Sequence, residues 1–459
     1  MPSSNLTKLW DGIQVAKPLL ASSKTHLKSL SDLGLEECSK LKKISGTSEN
    51  YWFELKLSGT AINDELCSSS GRLNKIDSLF LNNCKSLTSL PYKLVELRNL
   101  RRLYVNGCNK LASNLRSIFD GIRALEVLWL SDCNELIELP FSIIFLSSLC
   151  ELALSRSNIE TLPISIKHLS SLQDLYLDGC RRLRSLPELP PSVLALSTID
   201  CLSLTTLPLP LTIEDEEGKE VDYDDEDEEE PFPYFCFTNC MKLDRQSIKA
   251  VEAKAVLEMN KGIYSTAKIE YPGNRVPEWF MYRTTQNFVT MDLCSIPQPS
   301  WDGSFIFCAV IPQSPPSTFI DATRFIDGQY ACMAATSFGT TESRCSDHVF
   351  VWYDSYSFEG LRRKIEEKKK DAQNNTYHPS VEIEFTVTCW KSLDYGRIGK
   401  IKGCGVCPTS AIEYQQYIKQ IKSALQQHLN STAMGSLAPF TKTLSLESAD
   451  TTALMNTKK

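Results

Sequence analysis

The sequence predicts a leucine-rich-repeat solenoid with parallel strands on its concave face, followed by a mainly-β sandwich of jelly-roll type. Three observations carry this. A phrase of the form Leu-x-x-Leu-x-Leu-x-x-Cys recurs eight times at intervals of 21–25 residues, residues 214–230 hold thirteen carboxylates against one lysine, and residues 231–410 break into short apolar or alternating segments separated by Pro, Gly, Asp and Ser. A chain of 459 residues, 42% hydrophobic and 23% charged, has room for about three ordinary domains and is not disordered throughout.

The central leucines of the phrase are Leu33, Leu55, Leu79, Leu103, Leu128, Leu152, Leu175 and Leu196, and five residues after each come Cys38, Thr60, Cys84, Cys108, Cys133, Ser157, Cys180 and Cys201. Each turn of such a repeat lays a short strand on the inner face and needs a small, weakly polar residue where the chain bends inward. Cysteine meets that need, with Thr60 and Ser157 as substitutes. Equivalent positions of a solenoid stack one per coil, so these cysteines form a ladder and do not converge as metal ligands would. The remainder of the repeat is patterned too: Leu90-Pro91 leads to Leu94, Leu97 and Leu100, Leu139-Pro140 to Ile143, Leu146 and Leu149, and Leu162-Pro163 to Ile166, Leu169 and Leu172. Proline stops the strand and starts a tight helical turn on the convex side, with an apolar step of three.

Side chains alternate along a strand, so the residues flanking the Leu-x-Leu core point out of the concave face. The middle exposed positions are Lys56, Phe80, Tyr104, Trp129, Ala153 and Tyr176, beside Arg102, Glu151, Asp174 and Asp178. Four large aromatics in six adjacent registers, with charges next to them, match the composition of protein-binding hot spots. An exposed aromatic row also costs solubility unless something covers it. The alternative is laddering that merely stiffens the sheet. The candidate protein-contact residues are therefore Lys56, Phe80, Arg102, Tyr104, Trp129, Glu151, Asp174, Tyr176 and Asp178.

Residues 5–10 read as the back half of a coil, so no N-terminal cap is expected, and residues 17–20 are the candidate for an intervening turn. Leu207-Pro208-Leu209-Pro210 closes the array. The acidic run then contributes -12 to a net charge of -7, which leaves about +5 for everything else. A block of like charges self-repels and stays solvated. In the next region the candidate strands are 268–271, 288–293, 305–311, 330–336, 348–353, 381–390 and 398–406, with helices at 245–258 and 358–373. Many short strands with turn signals point to a β-sandwich. A weak amphipathic helix follows, with Ile418, Ile421, Leu425 and Leu429 on one side. The expected organisation is a solenoid over 1–211, an acidic linker over 212–231, a β-sandwich over 232–410, and a helix with a disordered tail over 411–459.

The opening Met1-Pro2-Ser3-Ser4-Asn5-Leu6-Thr7-Lys8-Leu9-Trp10-Asp11-Gly12 and the phrase Leu175-Tyr176-Leu177-Asp178-Gly179-Cys180 resemble plant intracellular disease-resistance receptors of the Toll/interleukin-1-receptor, nucleotide-binding, leucine-rich-repeat class. Phe235-Cys236-Phe237-Thr238-Asn239-Cys240-Met241-Lys242-Leu243-Asp244, Tyr271-Pro272-Gly273-Asn274-Arg275-Val276-Pro277-Glu278-Trp279-Phe280, Ser346-Asp347-His348-Val349-Phe350 and Lys402-Gly403-Cys404-Gly405-Val406 look like the post-repeat jelly-roll (C-JID) domain of that class. The resemblance implies that repeats and jelly roll together hold a pathogen effector, or a host protein that the effector modifies. In that family, binding frees a nucleotide-binding switch, and N-terminal domains then cleave NAD. The sequence holds no Gly-x-x-x-x-Gly-Lys-Ser/Thr phosphate loop: Gly396-Arg397-Ile398-Gly399-Lys400 has the wrong spacing and no hydroxyl residue after the lysine. The expectation is a chain that senses without signalling by that route.

The remaining chemistry points the same way. His26, His168, His348, His378 and His428 form no metalloprotease motif, and no Gly-x-Ser-x-Gly elbow accompanies them. Cys404 and Cys407, with Cys236 and Cys240, lack the spacing of a zinc site and read as buried thiols. Glu278 has no second carboxylate or base beside it, so Pro277-Glu278-Trp279-Phe280 reads as a turn anchored by its aromatics. No catalytic residue, cofactor or metal site is expected. No apolar run approaches the ~20 residues of a membrane span, no secretory signal is present, and the balance of charge gives no field for nucleic acid. A reducing, cytoplasmic location is expected, with the nucleus as an alternative, and with it mostly free thiols. Two functions follow: the ligand-sensing part of an innate-immune receptor, or an adaptor or decoy that pairs with a full-length immune receptor without binding a pathogen ligand.

Overall fold

A computed structural model of the chain describes residues 32–34, 54–62, 76–111, 115–207, 232–261, 266–292, 305–314, 318–338, 343–354, 356–371, 380–391, 394–397, 400–409 and 411–433. Cys38, the half coil at 5–10, the turn at 17–20, the acidic run and Leu429 lie outside the described residues or their side chains. The chain divides into two compact units, 1–210 and 211–459.

The first unit carries eight three-residue strands, β1 (Asp32–Gly34), β2 (Glu54–Lys56), β3 (Ser78–Phe80), β4 (Arg102–Tyr104), β5 (Val127–Trp129), β6 (Glu151–Ala153), β7 (Asp174–Tyr176) and β8 (Ala195–Ser197). Each pairs in parallel with the next, and the register sets Leu33, Leu55, Leu79, Leu103, Leu128, Leu152, Leu175 and Leu196 in one row. The row is buried wherever its side chains are described, as are Leu57, Leu81, Val105, Leu130, Leu154 and Leu177 two residues on. Full burial of each such side chain contributes about 1.5–3 kcal/mol. The convex side is made as the Leu-Pro pattern predicts: Pro91, Pro140 and Pro163 cap single 3-10 turns at Tyr92–Glu96, Phe141–Phe145 and Ile164–His168. The coil that follows β4 has no such proline, and a short helix, α1 (Leu115–Phe119), replaces the 3-10 turn.

The bend after each strand has one geometry. The fourth residue past the central leucine has a positive φ of 57–73°: Gly59, Asn83, Gly107, Asp132, Arg156, Gly179 and Asp200. The fifth residue is the ladder position, and it does more than fill space. Cys108 Sγ donates to Leu81 O at 3.1 Å, Cys133 to Val105 O at 3.3 Å, Cys180 to Leu154 O and Cys201 to Leu177 O at 3.1 Å, and Ser157 Oγ to Leu130 O at 3.0 Å. Each coil is thereby bonded to the carbonyl of the coil before it. Thirteen described cysteines are thiols outside any disulfide.

The second unit is a sandwich of two sheets. One runs in the order β9 (Tyr234–Cys236), β10 (Thr266–Pro272), β16 (His348–Asp354), β13 (Phe305–Ile311), β19 (Gly403–Pro408), β11 (Tyr282–Thr284). The other runs β12 (Phe288–Asp292), β17 (Ser380–Lys391), β14 (Thr318–Ile326), β15 (Gln329–Phe338), with β18 (Asp394–Arg397) also on β17. Phe307, Phe338, Phe350, Trp352 and Phe385 fill the space between them, with ring centroids 4.8–6.3 Å apart. Among the described residues three helices complete the unit: α2 (Arg245–Asn260), α3 (Tyr356–Asp371) and α4 (Ile412–Ala433). Asp244 caps α2 by accepting the Ser247 N–H at 2.7 Å.

Several sequence expectations meet their elements closely, the strand at 305–311 and the helix starting at Arg245 among them. Others need correction. The strand expected over 398–406 begins only at Gly403, and β9, β11, β14 and β18 were not anticipated. β14 alternates cleanly between buried and half-buried positions, but two of its inward side chains are Thr318 and Arg324, which hide the apolar period. The tail helix runs from Ile412 to Ala433. It also packs into the sandwich unit: Tyr414 is fully buried with its hydroxyl on Val256 O at 3.3 Å, and Tyr417 stacks on Trp279 at 5.7 Å. Trp279 and Phe280 are buried, as expected for an anchored turn.

β9 opens the second unit with a coil of the repeat type. Phe235 and Phe237 take the leucine positions, Asn239 has φ 61°, and Cys240 takes the ladder position. Cys240 N–H reaches Phe237 O at 3.1 Å and Leu243 N–H reaches Cys240 O at 3.2 Å, as Cys180 and Leu183 do with Leu177 and Cys180 at 3.1 and 3.0 Å. In place of a following coil stands β10, parallel to β9 with Ile269 opposite Phe235. Phe237 N–H donates to Glu270 O at 2.8 Å, the bond that Leu57 makes to Phe80 O. The Asn239 N–H, which in a repeat meets the carbonyl of the next coil, is accepted by His348 Nε2 at 2.9 Å. Below this lies a buried ion pair, Arg344 Nε and Nη2 to Glu270 Oε1 and Oε2 at 2.7 and 2.9 Å, with Thr238 donating to Glu270 at 2.6 Å and Arg344 to Thr318 at 2.9 Å.

Candidate protein-binding face

The parallel register brings the six middle positions into a single line across the strands: Lys56 beside Phe80, Phe80 beside Tyr104, Tyr104 beside Trp129, Trp129 beside Ala153, and Ala153 beside Tyr176. Neighbouring strands are about 4.8 Å apart, so rings in this line must touch. Phe80 and Tyr104 stack with centroids at 4.5 Å and planes within 10°, Tyr104 meets Trp129 edge-on at 5.0 Å, and the Lys56 ammonium lies 5.8 Å from the Phe80 centroid. The residues expected to be exposed are in consequence half-buried, and Ala153 is buried outright. Its small side chain leaves room for the Trp129 indole to reach over β6, where Nε1–H donates to Glu151 Oε1 at 2.8 Å. The laddering reading of the aromatics therefore describes their geometry, and each ring still offers part of one surface to the concave side.

The preceding position on each strand supplies the charges. Arg102 on β4 is exposed and bonds Ser78 Oγ at 2.8 Å and Asp77 Oδ2 at 3.3 Å. Glu151 on β6 and Asp174 on β7 are direct neighbours in register. Burial raises the pKa of both carboxyls above the ordinary range, and for Glu151 the Trp129 hydrogen bond opposes this while Asp174 adds to it. Burial first, then the surrounding carboxylates, pushes the Tyr176 hydroxyl up to about 12. Asp178 is the candidate with work inside the coil: it accepts Ser197 Oγ–H at 2.5 Å and Ile199 N–H at 2.9 Å. Asn82 and Asn106 do the same one coil apart, accepting the Asn106 and Ser131 N–H groups at 2.9 Å each. Sequence reasoning passed over these asparagines and the Arg101–Glu126 and Arg102–Asp77 pairs. The recurrence of Asn, Ser or Asp three residues past the central leucine was the signal for the former.

In the second unit an open groove of about 540 Å³ lies where β17 passes from β12 to β18, lined by Asn287, Phe288, Glu384, Phe385 and Lys400 among others. Among the described residues no three His, Cys, Asp or Glu side chains converge to hold a metal ion, and no helix is long and apolar enough to cross a membrane.

A repeat array with a concave aromatic line, joined in one chain to a two-sheet sandwich that opens on a repeat-type coil, defines a modular scaffold of leucine-rich-repeat class. Residues 271–418 match the C-JID domain, and residues 1–14 match a leucine-rich repeat. The chain is 28% identical over 415 residues to the disease resistance protein RPS4B of Arabidopsis thaliana, covering 83% of this chain and 32% of that protein. It is 30% identical over 355 residues to the disease resistance protein RML1B of Arabidopsis thaliana, covering 68% and 28%, and 29% identical over 228 residues to the TMV resistance protein N of Nicotiana glutinosa, covering 38% and 20%. The chain thus carries leucine-rich repeats and a C-JID domain and is related over most of its length to plant disease resistance proteins. It spans about a third or less of the length of these relatives.

Proposed function

We propose that this chain is the ligand-sensing part of a plant innate-immune receptor, which binds a pathogen effector or a guarded host protein through the concave repeat face and the loops of the jelly roll, in the cytoplasm or nucleus. The observation that carries the reading is the aromatic line Phe80, Tyr104, Trp129, Tyr176, of which the first three are held in fixed geometry by ring contacts and by the Trp129–Glu151 bond. Rigid aromatics flanked by charges concentrate binding energy at little cost in side-chain entropy. The chain itself has no catalytic role in this reading.

The test is affinity purification of the chain from infected and uninfected plant tissue, with Tyr104→Ala and Trp129→Ala run alongside. A partner that appears on infection and is lost from both variants is the expected result, at a cost of about 2 kcal/mol or more per hot-spot residue. Variants that fold like the parent, judged by circular dichroism, and keep that partner would remove the concave face from recognition. Partners that are constant with and without infection would favour the adaptor reading.

A further inference from the structure

Along the concave face, positive and negative charge are not treated alike. Lys56 is paired with Glu54 at 2.9 Å, Arg102 with Asp77 at 3.3 Å, and Arg101 with Glu126. The cations of β2 to β4 are thus matched within the array. Further along, Glu151 and Asp174 stand one strand apart in direct register, and neither has a salt-bridge partner among the described residues. Their strands lie about 4.8 Å apart, and like charges opposite each other on adjacent strands repel. The indole N–H of Trp129 bonds one oxygen of Glu151. On either side of this pair lie ring surfaces, Trp129 leaning across β6 and Tyr176 on β7. A cationic side chain meets all of these demands together. It offers donors to both carboxylates, and its flat or aliphatic part lies well on an aromatic ring.

We infer that the protein recognised by the concave face presents a basic segment, with one arginine or lysine seated between Glu151 and Asp174 and lying across Trp129 and Tyr176. This rests on the reading of the concave face as a protein-binding surface and adds the chemistry of what it binds. An acidic segment is excluded at this end of the face by the unmatched carboxylates, and at the other end the matched cations provide no strong attraction for one.

The experiment is a subtractive selection with a displayed library of random dodecapeptides. The library is first depleted on the Glu151→Gln, Asp174→Asn double variant of the full chain and then selected on the parent. Both proteins keep the acidic run 214–230, so peptides held by that run are removed in the first step. Glu151→Gln retains an acceptor for the Trp129 N–H, and unchanged tryptophan fluorescence confirms that the ladder is intact. The expected pool is rich in arginine and lysine, binds the double variant at least tenfold more weakly than the parent, and is weakened again by Trp129→Ala. A recovered pool without basic residues, or an empty one, overturns the inference. If the recovered pool is empty while peptides removed in the first step are lost on Tyr104→Ala and Trp129→Ala, the cation is rejected and the binding face stands. If the removed peptides are indifferent to those changes as well, the face itself is rejected.

Discussion

At the scale of single residues, the bend of each coil turns on two positions with different demands. The fourth residue past the central leucine needs a positive φ, which Gly, Asn and Asp adopt readily and other residues at a cost of about 1–2 kcal/mol. Arg156 sits there at φ 57°, held by a bidentate pair with Asp132 at 2.6 Å. In the next coil, a Cβ added to Gly179 would lie 2.9 Å from Arg156 Cγ, so the two positions are linked. The fifth residue must donate. Removing this donor takes one of two bonds from a buried carbonyl, since Leu154 O also accepts the Ser157 N–H at 3.2 Å, and a net hydrogen bond contributes about 0.5–1.5 kcal/mol, so Cys180→Ala is expected to lower stability in urea by that amount. Cys180→Ser, which makes the bond that Ser157 makes to Leu130 O, is expected to lose less. A third residue with a single task is His348. Its Nε2 accepts the Asn239 N–H at 2.9 Å and its Nδ1–H donates to Ser346 O at 3.0 Å, so the ring is neutral in the fold. Burial lowers its pKa, opposed by Glu270 and Asp347 and aided by Arg344. A folded pKa below the unfolded one means that the stability is present above the unfolded value and is lost as pH falls through it. Denaturant midpoints of the parent are expected to drop as pH falls below the ordinary histidine value of 6.5, and His348→Gln, with an amide oxygen for the Asn239 N–H, to flatten that part of the profile.

At the scale of elements, the second unit stands on a pair of buried charges. Arg344 and Glu270 are both fully buried and bonded through two contacts, and they tie β10 to the segment before β16, while Thr238 donates to Glu270 Oε1 and Arg344 donates further to Thr318 Oγ1 and Phe338 O. Cutting one side of such a pair leaves an uncompensated charge and costs about 3–5 kcal/mol, whereas replacing both with apolar groups is often near neutral. Arg344→Met is therefore expected to unfold the sandwich at markedly lower denaturant, and Glu270→Leu with Arg344→Met to recover most of the loss. Chemical denaturation followed by near-ultraviolet circular dichroism reads both. This pair also marks the limit of what the sequence discloses. The eight leucines of the array were legible because a fixed interval and a fixed face over-determine the register, and all eight meet their partners. β14 was not, because Arg324 and Thr318 face inward and break its apolar alternation. The coil at β9 was not, because phenylalanines stand for leucines and it falls 39 residues after Leu196, outside the interval. The binding face was legible in its positions, since alternation alone puts Phe80, Tyr104, Trp129 and Tyr176 on one side. Its half-burial depends on how rings in successive coils lean on each other, and on Ala153 leaving the indole room, which spacing alone does not reveal.

At the scale of the whole molecule, the net charge of -7 conceals two opposed contributions, -12 from residues 214–230 and about +5 from the rest. The run and the carboxylates of the concave face act over different distances on a cationic partner. Like charges concentrated in one run attract at long range and are screened once the Debye length falls from about 10 Å at 0.1 M salt to about 3 Å at 1 M. Glu151 and Asp174 are half-buried beside aromatic rings, and a contact seated on them is screened much less. Binding of polylysine should therefore have a steep salt-dependent part and a shallow remainder. Replacing the thirteen acidic residues of the run by Asn and Gln is expected to remove the steep part and leave the remainder. Changing Glu151→Gln with Asp174→Asn is expected to do the reverse, taking away binding that survives at high salt while leaving the slope at low salt intact. Titration calorimetry of the parent and the two variants across that salt range tests the separation. A remainder at high salt that the double variant leaves unchanged would assign cation binding to the acidic run alone.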